Sequence, residues 1–228
     1  MCFSLQSSII AYTLGMASAI FALSTRQIVL GCLIMAYAQM QLSEAMIWYG
    51  IDNNDEKWNR RGTKYGQYLL PTHNIAIGIG IIMSVLFVAK KKLSPKDFLP
   101  IFLGIMFFIA IVFGVYAPRK FPDLTFPRDG VCDKKCQNPG NRLKWPYPDS
   151  WYTWSFVLSI ALMFVWVAPK ESRLLMLAMF GISWVVTMLI YPNTTGSVWC
   201  WSASFIAPTI VLINYYLTRN IPSNQLLT

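Results

Sequence analysis

Residues 28–49 read IVLGCLIMAYAQMQLSEAMIWY, an apolar stretch with one charged side chain, Glu44. At helical rise it covers about 33 Å, enough to cross the roughly 30 Å hydrocarbon core of a bilayer. In lipid its backbone groups find no outside partners, so the segment must be a helix. The same pattern recurs on both sides of it. Comparable stretches occupy 8–24, 68–89, 98–116, 151–168, 174–191 and 198–217, with a long polar loop at 117–150. The expected fold is all-α: a single polytopic integral membrane domain over residues 1–228 with seven transmembrane helices. Only Thr25, Arg26 and Gln27 separate the first two spans, which therefore form a tight antiparallel hairpin.

Composition agrees. The chain has 228 residues, 55% hydrophobic and 13% charged, against about 25% charged in a soluble domain. Mean hydropathy is +0.45. Fourteen Phe, nine Trp and eleven Tyr suit a lipid-facing surface with aromatic belts. The formal charge of +9 would raise nucleic-acid binding in a soluble protein. Here the basic residues sit between spans, where topology and anionic lipid account for them better, and no nucleic-acid motif is present. The start MCFSLQSS carries no positive charge, so the first stretch reads as a retained helix and not a signal peptide.

Seven spans put the termini on opposite faces. Side A holds residues 1–7, the loop 50–67, the loop 117–150 and the turn 192–197. Side B holds 25–27, 90–97, 169–173 and the C-terminal tail. Side A has more basic residues in total, but they are spread over long loops and diluted by acids. Side B packs Arg26, Lys90, Lys91, Lys92, Lys96, Lys170, Arg173 and Arg219 into short ones. Density places side B in the cytoplasm, giving N-out/C-in. Small residues recur every fourth position as Ala11, Gly15 and Ala19, and as Ala76, Gly80 and Ser84, marking faces where helices approach closely. The aromatic-polar turns WYGIDNN and IYPNTTG hint at a parallel duplication, without a convincing repeat.

Glu44 is the most informative residue. An acid well inside a span costs a few kcal/mol unless paired, hydrated or protonated. Tyr37, Gln41, Glu44 and Trp48 share one helical face, a polar stripe turned toward the bundle interior. His73 is the only histidine, beside Asn74 in LLPTHN near the side A start of the third span. Counting residues from that end puts Glu44 and His73 at one depth, roughly 7 Å in, so a Glu–His contact is expected. The plainer alternative is that each bonds to neighbouring helices or interfacial water.

Cys32 reads as a small buried apolar residue. Cys132 and Cys136 lie in GVCDKKCQNPG, where a local disulfide or free thiols are favoured over half of a metal site. Cys2 and Cys200 both fall on side A, at the depth expected for Glu44 and His73. They form either a bridge above a Glu–His pair or, as a minority reading, part of a zinc, copper or iron site. No cofactor is otherwise predicted. Asn193-Thr194-Thr195 is a sequon close to the bilayer. No lysine lies inside a span, so a retinal Schiff base has no anchor. One histidine excludes a three-histidine zinc hydrolase. Gly181-Ile182-Ser183 echoes an intramembrane serine protease but lacks a following histidine.

Three motifs carry a resemblance. Met1-Cys2-Phe3-Ser4, Gln41-Leu42-x-Glu44-x-x-x-Trp48 and Val198-Trp199-Cys200 resemble a family of small polytopic membrane proteins of unknown function from bacteria and large DNA viruses of protists. The resemblance implies that Cys2, Glu44, Trp48 and Cys200 belong to a shared pattern. The family usually has a second Gln before Gln41, where this chain has Met40. The functional expectation is a transporter or channel-like protein for a small solute or ion, with Glu44 as coupling or binding carboxylate and Gln41 and His73 as its partners. Two alternatives stand beside it: a thiol or metal redox protein or enzyme using Cys2 and Cys200, and a receptor-like or structural protein binding through 117–150.

Overall fold

In the computed structural model the described residues are 4–116, 123–126, 143, 181–191 and 195–220. They form seven helices and no β-strand: α1 (Leu5–Ser24), α2 (Ile28–Asp52), α3 (Glu56–Leu69), α4 (His73–Met83), α5 (Pro95–Ile111), α6 (Gly181–Ile190) and α7 (Thr195–Thr218). Short π-helical turns, Ser84–Val88 and Val112–Tyr116, extend α4 and α5. Four of these helical segments are long and apolar enough to cross a membrane: α1, α2, Pro95–Gly114 and Ser197–Thr218. The bent pair of α3 and α4 with its π-turn qualifies as a fifth. The expected span 151–168 lies outside the described residues, as does 174–180 of the next.

Two helix ends follow one rule. At Arg26 (φ 64°) and Asn54 (φ 52°) the chain turns left-handed, and the next amide bonds back five residues, Gln27 N–H to Ala22 O at 2.8 Å and Asp55 N–H to Gly50 O at 2.8 Å. This satisfies carbonyls that a helix end leaves without partners. Asp55 then starts α3, its carboxylate accepting from Lys57 N–H at 2.9 Å. At the start of α5, Ser94 N–H donates to Asp97 Oδ2 at 2.7 Å and Pro95 occupies the first turn.

The segment 50–67, expected as a side A loop, is therefore mostly helix. The reason lies in its buried face. Asn59, Gly62, Thr63, Gly66 and Gln67 are buried at helical spacing, and none is a large apolar residue, so hydrophobic periodicity had nothing to register. The glycine lets α3 lie directly on α2. A Cβ on Gly62 would stand 2.7 Å from Ser43 O, and Ser43 Oγ donates to Gly62 O at 2.7 Å. Further along, Gly50 meets Asn59, and Gly80 meets Val29. The chain from Glu56 to Val88 thus runs antiparallel beside the whole of α2, bent by 55° between α3 and α4. Pro71 lies in the bend, where its missing N–H and ring disfavour a continuous helix.

The small-residue faces do what was expected of them. Ala11, Gly15 and Ala19 are buried, and Gly15 faces Ala38 of α2. Gly80 and Ser84 are buried, with Ala76 half-buried. Gly78 meets α5 as closely as Gly50 meets α3: a Cβ on Gly78 would lie 2.5 Å from Ile101 Cα.

Polar clamps hold both ends of the bundle. At one end Gln27, in the α1–α2 turn, accepts from Asn214 Nδ2 at 2.6 Å and donates to Val211 O at 3.2 Å on α7. At the other end Asn59 reads the backbone of Thr125, donating to Thr125 O at 2.8 Å and accepting from Thr125 N–H at 2.9 Å. Asp123 adds exposed ion pairs to Arg60 at 3.4 Å and Lys64 at 3.8 Å. The loops 50–67 and 117–150, both expected on side A, thus touch, while Gln27 of the expected side B turn meets residues within the last expected span.

Gly78→Val forces two backbones apart and should cost about 1–3 kcal/mol, read as a lower unfolding temperature in detergent. Asn59→Ala strips both main-chain groups of buried Thr125 of their partner and should cost about 1–3 kcal/mol. Hydrogen exchange at the Thr125 amide should then speed up.

Candidate functional site

Among the described helices α2 touches α1, α3, α4 and α7, and its polar stripe lies within that ring. Glu44 and Gln41 are 0% exposed, Tyr37 3% and Trp48 5%. The carboxylate therefore faces helices and not acyl chains. Cys200 is a buried free thiol on α7. It lies within electrostatic reach of Glu44 and of Tyr37. Two expected site residues far apart in sequence thus stand on helices that touch.

Gln41 is the unusual member. Neither its amide nitrogen nor its amide oxygen has a hydrogen-bond partner among the described residues. A fully buried amide in that condition loses its hydration without compensation, a cost of about 1–3 kcal/mol per group. The stripe is thus a place where stability is spent.

His73 is also fully buried. Its Nδ1 lies 3.2 Å from Leu69 O. A carbonyl only accepts, so Nδ1 carries a proton toward it. The expected common depth with Glu44 is corrected by the register. His73 packs tilted against Tyr37, ring centres 4.6 Å apart, and Tyr37 lies seven residues, about 10 Å, deeper along α2 than Glu44. Counting from the membrane edge failed because α3 carries the chain down the side of α2 before His73 is reached. Asn74 is buried where α4 meets Gly104 of α5.

An aromatic wall stands at the deeper level of Tyr37. Tyr37 packs on Trp199 at 5.2 Å, nearly perpendicular, and Trp199 on Trp184 at 5.0 Å. Trp199 Nε1 donates to Ser183 Oγ at 3.1 Å. The sequence reading did not name Trp184, Trp199 or Ser183 as site residues. Trp199 was open to inclusion, since it precedes Cys200. Trp184 carried no signal without the packing.

Cys2, Cys132 and Cys136 lie outside the described residues. Among the described residues no group of three or more His, Cys, Asp and Glu side chains is placed to hold a metal ion. No protein-family model, no curated protein and no solved structure matches the chain.

If Gln41 serves function and not folding, an apolar replacement of similar size should help stability. Gln41→Met is expected to raise the unfolding temperature, by an amount equivalent to about 1–3 kcal/mol. A lower temperature would show that the amide is a structural group.

Proposed function

We propose that this chain is a seven-span, N-out membrane transporter or channel-like protein for a small solute or ion, with Glu44 as its coupling carboxylate. The observation that carries the reading is the vertical series on α2: Glu44, Gln41 and Tyr37, all buried, ending at His73. Successive members lie within about one helical turn of each other. Two of them, Glu44 and His73, change charge with a proton. Intramembrane carboxylates are expensive and mark substrate, ion or proton pathways. A protonatable acid followed inward by an amide, a phenol and an imidazole is a plausible route for a proton moving with its solute.

The same layer supports the family resemblance as a proposal. Its second and third motifs, containing Glu44 and Trp48 on α2 and Trp199 and Cys200 on α7, meet across one helix pair. The competing thiol or metal reading gives the central role to Cys200.

Proteoliposome flux separates the two. Under the transport reading Glu44→Gln, which removes the titratable group and keeps the shape, lowers pH-driven proton flux at least ten-fold, while Cys200→Ala leaves most of it. Unchanged flux in Glu44→Gln would refute the assignment.

A further inference from the structure

The outward face of α3 is as regular as its buried one. Lys57, Trp58, Arg60, Arg61, Lys64, Tyr65 and Tyr68 are exposed at helical spacing, four cations and three aromatic rings within three turns. Glu56 is the only acid on the helix. Asp123 neutralises part of this charge, pairing with Arg60 and Lys64. Lys57 and Arg61, one turn apart on the same strip, have no carboxylate partner among the described residues. Arg61 lies instead over the Trp58 ring at 5.5 Å. The other neighbour of that ring is Tyr49 of α2, at 5.6 Å and nearly perpendicular.

The level of this strip follows from α2. Some 20 residues cross the hydrocarbon, and counted from Ile28 they end near Trp48. Gly50 of α2 packs against Asn59 of α3, so Lys57 to Arg61 stand at the edge of the hydrocarbon. Trp and Tyr concentrate at that level because one end of the ring is apolar and the other polar. Lipid phosphates lie just above it. Arginine presents a planar fork that matches phosphate oxygens in pairs, and a nearby lysine adds a point charge.

We propose that the outer face of α3 binds the phosphodiester headgroup of an anionic membrane lipid. Arg61 and Lys57 hold the phosphate, and Trp58, held edge-on by Tyr49 and covered by Arg61, sets the guanidinium at headgroup height. Arg60 and Lys64 form a second, weaker pair, held partly neutral by Asp123. The occupant is lipid and not a soluble anion, because the ligands sit at the bilayer edge beside exposed interfacial rings, at the height of the lipid phosphates. This surface is separate from the Glu44 layer and does not depend on the transport reading.

The test is lipid retention by the whole protein. Wild type is reconstituted in an equal mixture of phosphatidylglycerol and phosphatidylcholine, extracted in mild detergent and analysed by native mass spectrometry. Phosphatidylglycerol should be retained several-fold over phosphatidylcholine, less so at high salt. The K57Q/R61Q double variant alters only exposed side chains, and unchanged circular dichroism and elution volume confirm its fold. It should lose the preference. Asp123→Asn releases Arg60 and Lys64 and should raise retention about two-fold, the direction that lost attraction to a counter-charge dictates. Equal retention of both lipids by wild type, an undiminished preference in K57Q/R61Q, or displacement of the lipid by excess inorganic phosphate would each overturn the proposal.

Discussion

A carboxylate carried in the middle of an apolar helix has to be covered by other helices, and the described bundle is organised around that requirement. The α2 helix supplies Glu44, and α1, α3, α4 and α7 all pack on α2. In lipid there is no hydrophobic drive to bring helices together, so the covering contacts come from close backbone approach and polar bonds. Gly15, Gly62 and Gly80 are those approaches to α2. The Ser43–Gly62 and Gln27–Asn214 bonds are the polar ones nearest its two ends.

The most consequential result of this packing is the path of α3 and α4. A segment rich in charge, Glu56 to Tyr68, would be a loop if charge alone governed it. It forms a helix because Asp55 caps it and because two glycines and three polar side chains make one face flat enough to lie on α2. Its cations and rings then necessarily point outward. The same helix is thus uncharged on the inside and strongly charged on the outside, the sense of a soluble amphipathic helix, but with glycines and polar side chains where that helix carries its apolar stripe. By descending beside α2 it delivers His73 to the level of Tyr37, which turns an expected side-by-side Glu–His pair into a series running along the helix axis.

Much of the architecture was legible beforehand. Hydropathy over about 20 residues reports the solvent, so α1, α2, α5 and α7 were located to within a few residues, and the four-residue spacing of small side chains identified the buried face of α1. The polar stripe on α2 was legible for the same reason: 3.6-residue periodicity places Tyr37, Gln41, Glu44 and Trp48 together whatever surrounds them. Helix α3 was not legible, since its core-facing residues carry no hydrophobic signal. Nor was the aromatic wall, because Trp184 and Trp199 lie on different helices from Tyr37 and only packing brings the three rings together.

The sequence by itself determined which segments leave water and which side of α2 is polar, because transfer free energy and helical pitch are local properties of consecutive residues. Only the tertiary structure decided that the helix of Cys200 packs on the helix of Glu44 and that His73 lies two turns deeper. Those are relations between segments, set by which glycines let backbones touch and by where Pro71 bends the chain, and no local property of either segment contains them.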